Sequence, residues 1–206
     1  MHEFSHAVIA YCGGDRSVAV KGYLSLDLRR YANPVYSFIL PALFVLIGGI
    51  GLPGGAVWIE HSALRSRHWR SLTSLAGPAA NAVCAAACIV PFVVLHGGWR
   101  ASGTHLSFWS ALAFIGLLQM WALLLNLLPI PGLDGWGALE PYLPAPVVAT
   151  GRKISPFGFM ILLLVVMSSP AVSGHISSFL ETVQQSLGVP AGLAGWGSHL
   201  MRFWSS

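Results

Sequence analysis

Charge is what this chain has least of. Only 9% of its 206 residues are Asp, Glu, Lys or Arg, while 55% are hydrophobic; an ordinary soluble domain carries roughly 25% charged residues. That imbalance argues against soluble domains and for a single polytopic membrane domain. Cysteine is scarce too. Cys12, Cys84 and Cys88 all lie in or beside apolar runs, and with no C-x-x-C pair neither a disulfide framework nor a cysteine metal site is expected. Cys84 and Cys88 share a helix face and read as packing residues. No basic stretch precedes an apolar one at the start, so no signal peptide is visible. The net charge of +4 calls for no nucleic acid, because the basic residues gather between apolar runs, as at cytoplasmic membrane flanks.

What the chain does have is apolar segments, and five can be traced. Residues 2–12 are too short to span a bilayer, which takes about 20 helical residues; they read as the second half of a membrane helix whose first half is missing. Residues 35–52 are broken by Pro41, Gly48, Gly49 and Gly51. Residues 72–95, 107–128 and 154–172 are better spanning candidates. The intervening 13–34 near-alternates polar and apolar residues, as a short β-hairpin would. Together these predict an all-α polytopic membrane protein, a helical bundle with a β-prone hairpin and a re-entrant segment. Residues 1–172 form its core, and 173–206 a tail with a weakly amphipathic stretch.

Basic residues decide between two topologies. If 35–52 re-enters rather than spans, the four Lys/Arg of 13–34, three of 53–71 and two of 129–153 share one face, against one in 96–106 and one in the tail. If it spans, the faces are almost equal. The positive-inside tendency therefore favours the re-entrant segment, with the nine-charge face cytoplasmic. Pro and Gly interruptions are tolerated at that depth where backbone lines a protein cavity.

The first six residues carry the chemistry. His2, Glu3 and His6 form an H-E-x-x-H motif, which on a helix sets two imidazoles on one face to bind zinc, with a glutamate beside them facing a metal-held water. A catalytic zinc takes a third protein ligand. Asp134, in Asn126-Leu-Leu-Pro-Ile-Pro-Gly-Leu-Asp134-Gly135, follows the cytoplasmic end of 107–128. His6 lies about 10 Å inside the cytoplasmic end of its own helix, a depth that a Pro-rich stretch folding back could reach. The remaining histidines fall in loops or tail without ligand spacing, and Asp15 and Glu60 read as solvated loop charges.

H-E-x-x-H in a membrane helix, Ala76-Gly77-Pro78-Ala79-Ala80-Asn81 opening a later helix, and Asn126…Pro129…Asp134-Gly135 together resemble the site-2 protease family of intramembrane zinc metalloproteases. The Gly14-Asp15-Arg16 and Gly48-Gly49-Ile50-Gly51 stretches are similar to a small prokaryotic branch of it. The resemblance implies one Zn²⁺ per chain held by His2, His6 and Asp134, Glu3 as catalytic acid/base, and Asn126 as a substrate contact. It implies substrates that are membrane proteins or peptides, met in the lipid bilayer of a prokaryotic cell membrane. Gly77-Pro78 reads as breaking the start of a helix and permitting close packing. The rival readings are a catalytically inactive metal-binding scaffold of the same fold and a zinc enzyme acting on a non-peptide substrate.

Overall fold

The computed structural model describes residues 1–27, 57–95 and 105–201, and among them every regular element is helical. They are α1 (His2–Gly13), α2 (Ser17–Val20), α3 (Arg67–Leu95), α4 (Leu106–Asn126), α5 (Asp134–Leu139), α6 (Ala145–Ser168), α7 (Pro170–Ser186) and α8 (Leu193–Met201), with single 3₁₀ turns at His61–Ala63 and Glu140–Tyr142. Three of them, α3, α4 and α6, are long and apolar enough to cross a bilayer. Their outward faces expose Val83, Val94, Phe108, Phe157 and Leu164, side chains that a lipid environment would cover. These helices overlap the expected 72–95, 107–128 and 154–172, but α3 begins earlier than expected, and α6 begins nine residues earlier, at Ala145, and ends four residues earlier.

α3 begins at Arg67, ten residues before Gly77, so Gly77-Pro78 lies within a continuous helix rather than at its start. The polar Arg67-His68-Trp69-Arg70 turn hides that beginning from an apolar-run reading. At 1.5 Å per residue its 29 residues reach about 44 Å, more than the ~30 Å hydrocarbon core, so the polar first turns extend past it. α6 ends at Ser168 because Ser169 takes an extended conformation and Pro170 starts α7; the Ser169 hydroxyl accepts the Val172 N–H at 3.4 Å.

The chain divides into two compact units. The first comprises residues 1–80 and 134–148, the second 81–133 and 149–206. In the first, α1 ends in a Schellman turn. Gly14, at φ 121°, donates to Tyr11 O, and Asp15 donates to Ala10 O. A side chain at Gly14 would also meet the Ala63 carbonyl. Asp15 then starts α2: its Oδ1 accepts the Ser17 N–H at 2.9 Å. Where a hairpin is expected, 17–20 is thus a helical turn, because the capping carboxylate supplies the partner that a strand neighbour would have given. The rest of 13–34, from residue 28, and all of 35–52 lie outside the described residues.

The other Asp15 oxygen accepts the Glu60 N–H at 2.8 Å, so this residue, only 1% exposed, joins the end of α1 to segment 57–60. Burial works against its charge, but hydrogen bonds from Ser17 and the Glu60 amide hold its carboxyl below the usual carboxylate range. Because the folded value is the lower one, the clasp stabilises above the ordinary carboxylate pKa and is lost as pH falls through the depressed value. Around it Ala7, Ala10, Val18 and Leu64 form a small core, with Tyr11, Val57, Ile59 and Trp69 against it.

The second unit packs Ala85, Ile89 and Phe92 of α3 against Ala113, Leu117 and Met120 of α4, with Leu180 of α7, Leu193 and Ala194 of α8, and Val189 from the connection between those two helices. What reads as a tail in the sequence therefore supplies part of a core. Gln184 is buried and donates to Ala113 O at 2.9 Å. Cys88 Cβ faces Gly116, as a packing role requires. α8 approaches α4 at Gly197, where a Cβ would collide with the Ser110 carbonyl. Gly197→Val should therefore cost about 1–3 kcal/mol through overpacking, read as a lower thermal midpoint in detergent. Gly195→Ala, where nothing lies within 4 Å, should be neutral or stabilising, since alanine favours a helix by up to about 1 kcal/mol.

Candidate metal centre

Helix α1 sets His2 and His6 one turn apart on a single face. Their rings meet edge to face, centroids 4.7 Å apart, with the Nε2 atoms separated by 3.1 Å. His6 is buried, and its Nδ1 lies 2.6 Å from the Thr73 carbonyl of α3. A carbonyl only accepts, so the ring must place its proton on Nδ1, and in the neutral imidazole Nε2 is left with a free lone pair. A backbone carbonyl thus fixes tautomer and ring plane, the usual outer-shell arrangement of a metal-binding histidine.

One turn along α3, Gly77 faces both imidazoles, and a Cβ there would strike the Nε2 atoms of His2 and His6. The close packing expected of Gly77-Pro78 is present, and it is made against these two rings. Pro78 is itself fully buried.

Asp134 opens α5, which is fastened to the same stretch of α3. The Ser71 hydroxyl donates to Ala138 O at 2.6 Å, and Gly137 packs so closely on Ser74 that a Cβ would come within 2.6 Å of its hydroxyl. Beyond the helix, Tyr142 hydroxyl lies 2.7 Å from His68 Nδ1, with the Arg67 guanidinium over the tyrosine ring. His68, expected in a loop, is therefore part of this fastening. So held, Asp134 brings Oδ2 to 3.1 Å from His2 Nε2 and Oδ1 to 3.4 Å from His6 Nε2.

One donor atom from each of His2, His6 and Asp134 lies within 4.8 Å of the other two, and among the described residues no other group of three such side chains comes together. Asp134 Oδ2 is buried, with the His2 ring nitrogen as its near polar neighbour. Lone pairs crowded in this way repel unless a proton or a metal cation lies between them. Two imidazoles and a carboxylate with a fourth position open are a donor set that fits zinc. Glu3 stands beside His2 on α1, and its Oε2 accepts the Val57 N–H at 3.2 Å. Asn126 is the last residue of α4, half-buried, in the second unit. Thr73 and Asp15 are the contributors that sequence reasoning passes over. No pattern marks a threonine whose carbonyl matters, and a lone aspartate after Gly-Gly reads as a loop charge.

No family model matches the chain, and no solved structure does. Curated proteins do match. The chain is 43% identical over 211 residues to "Putative zinc metalloprotease Rip2" of Mycolicibacterium smegmatis, covering 100% of this chain and 77% of that protein. It is 42% identical over 207 residues to the protein of the same name from Mycobacterium tuberculosis, covering 100% and 76%. It is 28% identical over 179 residues to "Putative zinc metalloprotease YwhC" of Bacillus subtilis, covering 82% and 75%. At this identity and coverage, the chain belongs to the same family as these proteins, the site-2 protease family of zinc metalloproteases.

Proposed function

We propose that this chain is an intramembrane metalloprotease. In this reading it is a multi-pass protein of a prokaryotic cell membrane that hydrolyses peptide bonds in or near the transmembrane segments of membrane-protein substrates, using one zinc per chain. The observation that carries the reading is the convergence of His2 Nε2, His6 Nε2 and a carboxylate oxygen of Asp134, with Glu3 beside His2 on α1.

His2, His6 and Asp134 are the ligands, and the Thr73 carbonyl keeps His6 in the ligating tautomer. When bound, zinc supplies a Lewis acid and makes a water acidic enough to ionise near pH 7. Glu3 takes the proton of the attacking water and returns it to the leaving amine, the two halves of general acid–base catalysis. Asn126, at the end of α4, contacts the substrate. A transmembrane helix has its amides bonded internally, so the scissile bond must be presented by local unwinding before it is attacked.

The site faces the cytoplasm. Nine of the eleven basic residues fall on that side under the re-entrant topology. Thr73 and Gly77 lie only a few turns from the polar Arg67–Arg70 end of α3, which gives water a short path to the site.

Zinc content of the detergent-solubilised protein tests the reading directly. Wild type should hold about one zinc per chain. Asp134→Ala should weaken it by more than the roughly 10- to 100-fold that loss of an outer-shell partner costs. Glu3→Gln should keep the metal and lose cleavage of a transmembrane substrate by about a hundredfold or more. Retained cleavage in that variant would sink the protease assignment, and a wild type that binds zinc without cleaving any peptide would favour the inactive scaffold. Gly77→Ala separates packing from helix propensity. Alanine favours a helix by up to about 1 kcal/mol, yet here it should expel metal, leaving helicity by circular dichroism unchanged and zinc per chain sharply reduced.

A further inference from the structure

Glu3 is a long side chain, and the direction of its carboxylate depends on what holds it. The Val57 N–H does so, at 3.2 Å. Val57 is one of four described residues, 57–60, that belong to no helix or strand; their side chains alternate, Val57 and Ile59 turned to the small core around Ala7, Ala10 and Val18, Trp58 and Glu60 exposed. Their main chain is tied at two further points by charged side chains. Lys21 Nζ donates to the Trp58 carbonyl at 3.0 Å, and Asp15 Oδ2 accepts the Glu60 N–H at 2.8 Å. The Schellman turn at Gly14 aims Asp15 inward, so the far end of the motif helix anchors the segment that reaches back to its beginning.

We propose that Asp15 and Lys21 are positioning residues for Glu3, acting through the main chain of 57–60; this rests on the role given to Glu3 above. Neither residue touches the metal ligands. Together they fix the strap against α1, and the strap presents one amide to the carboxylate that handles the proton. A shift of about 1 Å in such a group can cost up to a hundredfold in rate. Asp15 is suited to the task because a carboxylate accepts two N–H groups at once. An asparagine accepts with its oxygen only, and its NH₂ would face the second donor.

The test uses the full chain in detergent, with Asp15→Asn, Lys21→Met, Lys21→Arg and Glu3→Gln. Asp15→Asn and Lys21→Met should each retain about one zinc per chain and lower kcat about tenfold with KM little changed. Lys21→Arg, which still donates to the Trp58 carbonyl, should restore most of the rate. Amide hydrogen exchange over 57–60 should quicken in the two impaired variants. Loaded with cobalt(II) instead of zinc, both should show a visible spectrum displaced towards that of Glu3→Gln, a readout that needs no substrate. If exchange quickens while kcat and the cobalt spectrum stay at wild-type values, the strap is structural only and the proposal fails. Loss of metal from Asp15→Asn would also overturn it, by placing the effect on the metal centre. Undiminished cleavage by Glu3→Gln would bring down the protease reading and this proposal with it. Full loss in Glu3→Gln with normal Asp15→Asn and Lys21→Met would bring down this proposal alone.

Discussion

Three electron-rich atoms held within 4.8 Å of one another are an arrangement that a protein has to enforce. Two imidazole lone pairs and a carboxylate oxygen repel at such proximity unless a proton or a metal cation lies between them, and burial makes that repulsion worse. Much of the first unit can be understood as that enforcement. Gly77 removes the side chain that would push the rings away, and the Thr73 carbonyl holds the His6 ring from behind. The Ser71 and Ser74 contacts fasten α5 so that Asp134 cannot swing out. Each of these is a contact with one stretch of α3, residues 71–77, which acts as the common template for the donor groups arriving from α1 and α5.

The same economy appears at the other end of α1. A helix that ends in a left-handed glycine needs its following residue to turn inwards, and here that residue is an aspartate with both oxygens engaged. One carboxylate thereby caps the next helical turn and ties down a distant segment. The segment is held through two N–H groups and one C=O, each met by a side chain.

What could be read from the sequence follows from how local each interaction is. His2, Glu3 and His6 form a pattern within five residues, and helical periodicity alone puts the imidazoles on one face. Asp134 is more than 120 residues away, yet it was reachable because charge counts and span lengths restrict which chain ends share a face. Of the three long apolar helices, α4 was legible to within two residues at each end, while the starts of α3 and α6 were missed by five and nine residues. The misses are polar. Arg67–Arg70 disguises the first turns of α3, and Ser169-Pro170 divides what an apolar count runs together. Asp15 looks like any loop charge until Glu60, 45 residues away, meets it. The alternation around 17–20 reads as a strand because periodicity carries no information about a capping carboxylate. Thr73 contributes a carbonyl, a group every residue has, so no sequence pattern could single it out.

Segment 57–60 is gripped by atoms common to all amino acids. Its position is consequently insulated from the identity of its outward residues: Trp58, 74% exposed, and Glu60 could be exchanged freely without loosening the amide that Glu3 receives. Proline is the exception at residues 57 and 60, since it alone lacks the N–H being held. The outer surface beside α1 is thus open to variation at little structural cost, while the distance between that surface and Glu3 stays set.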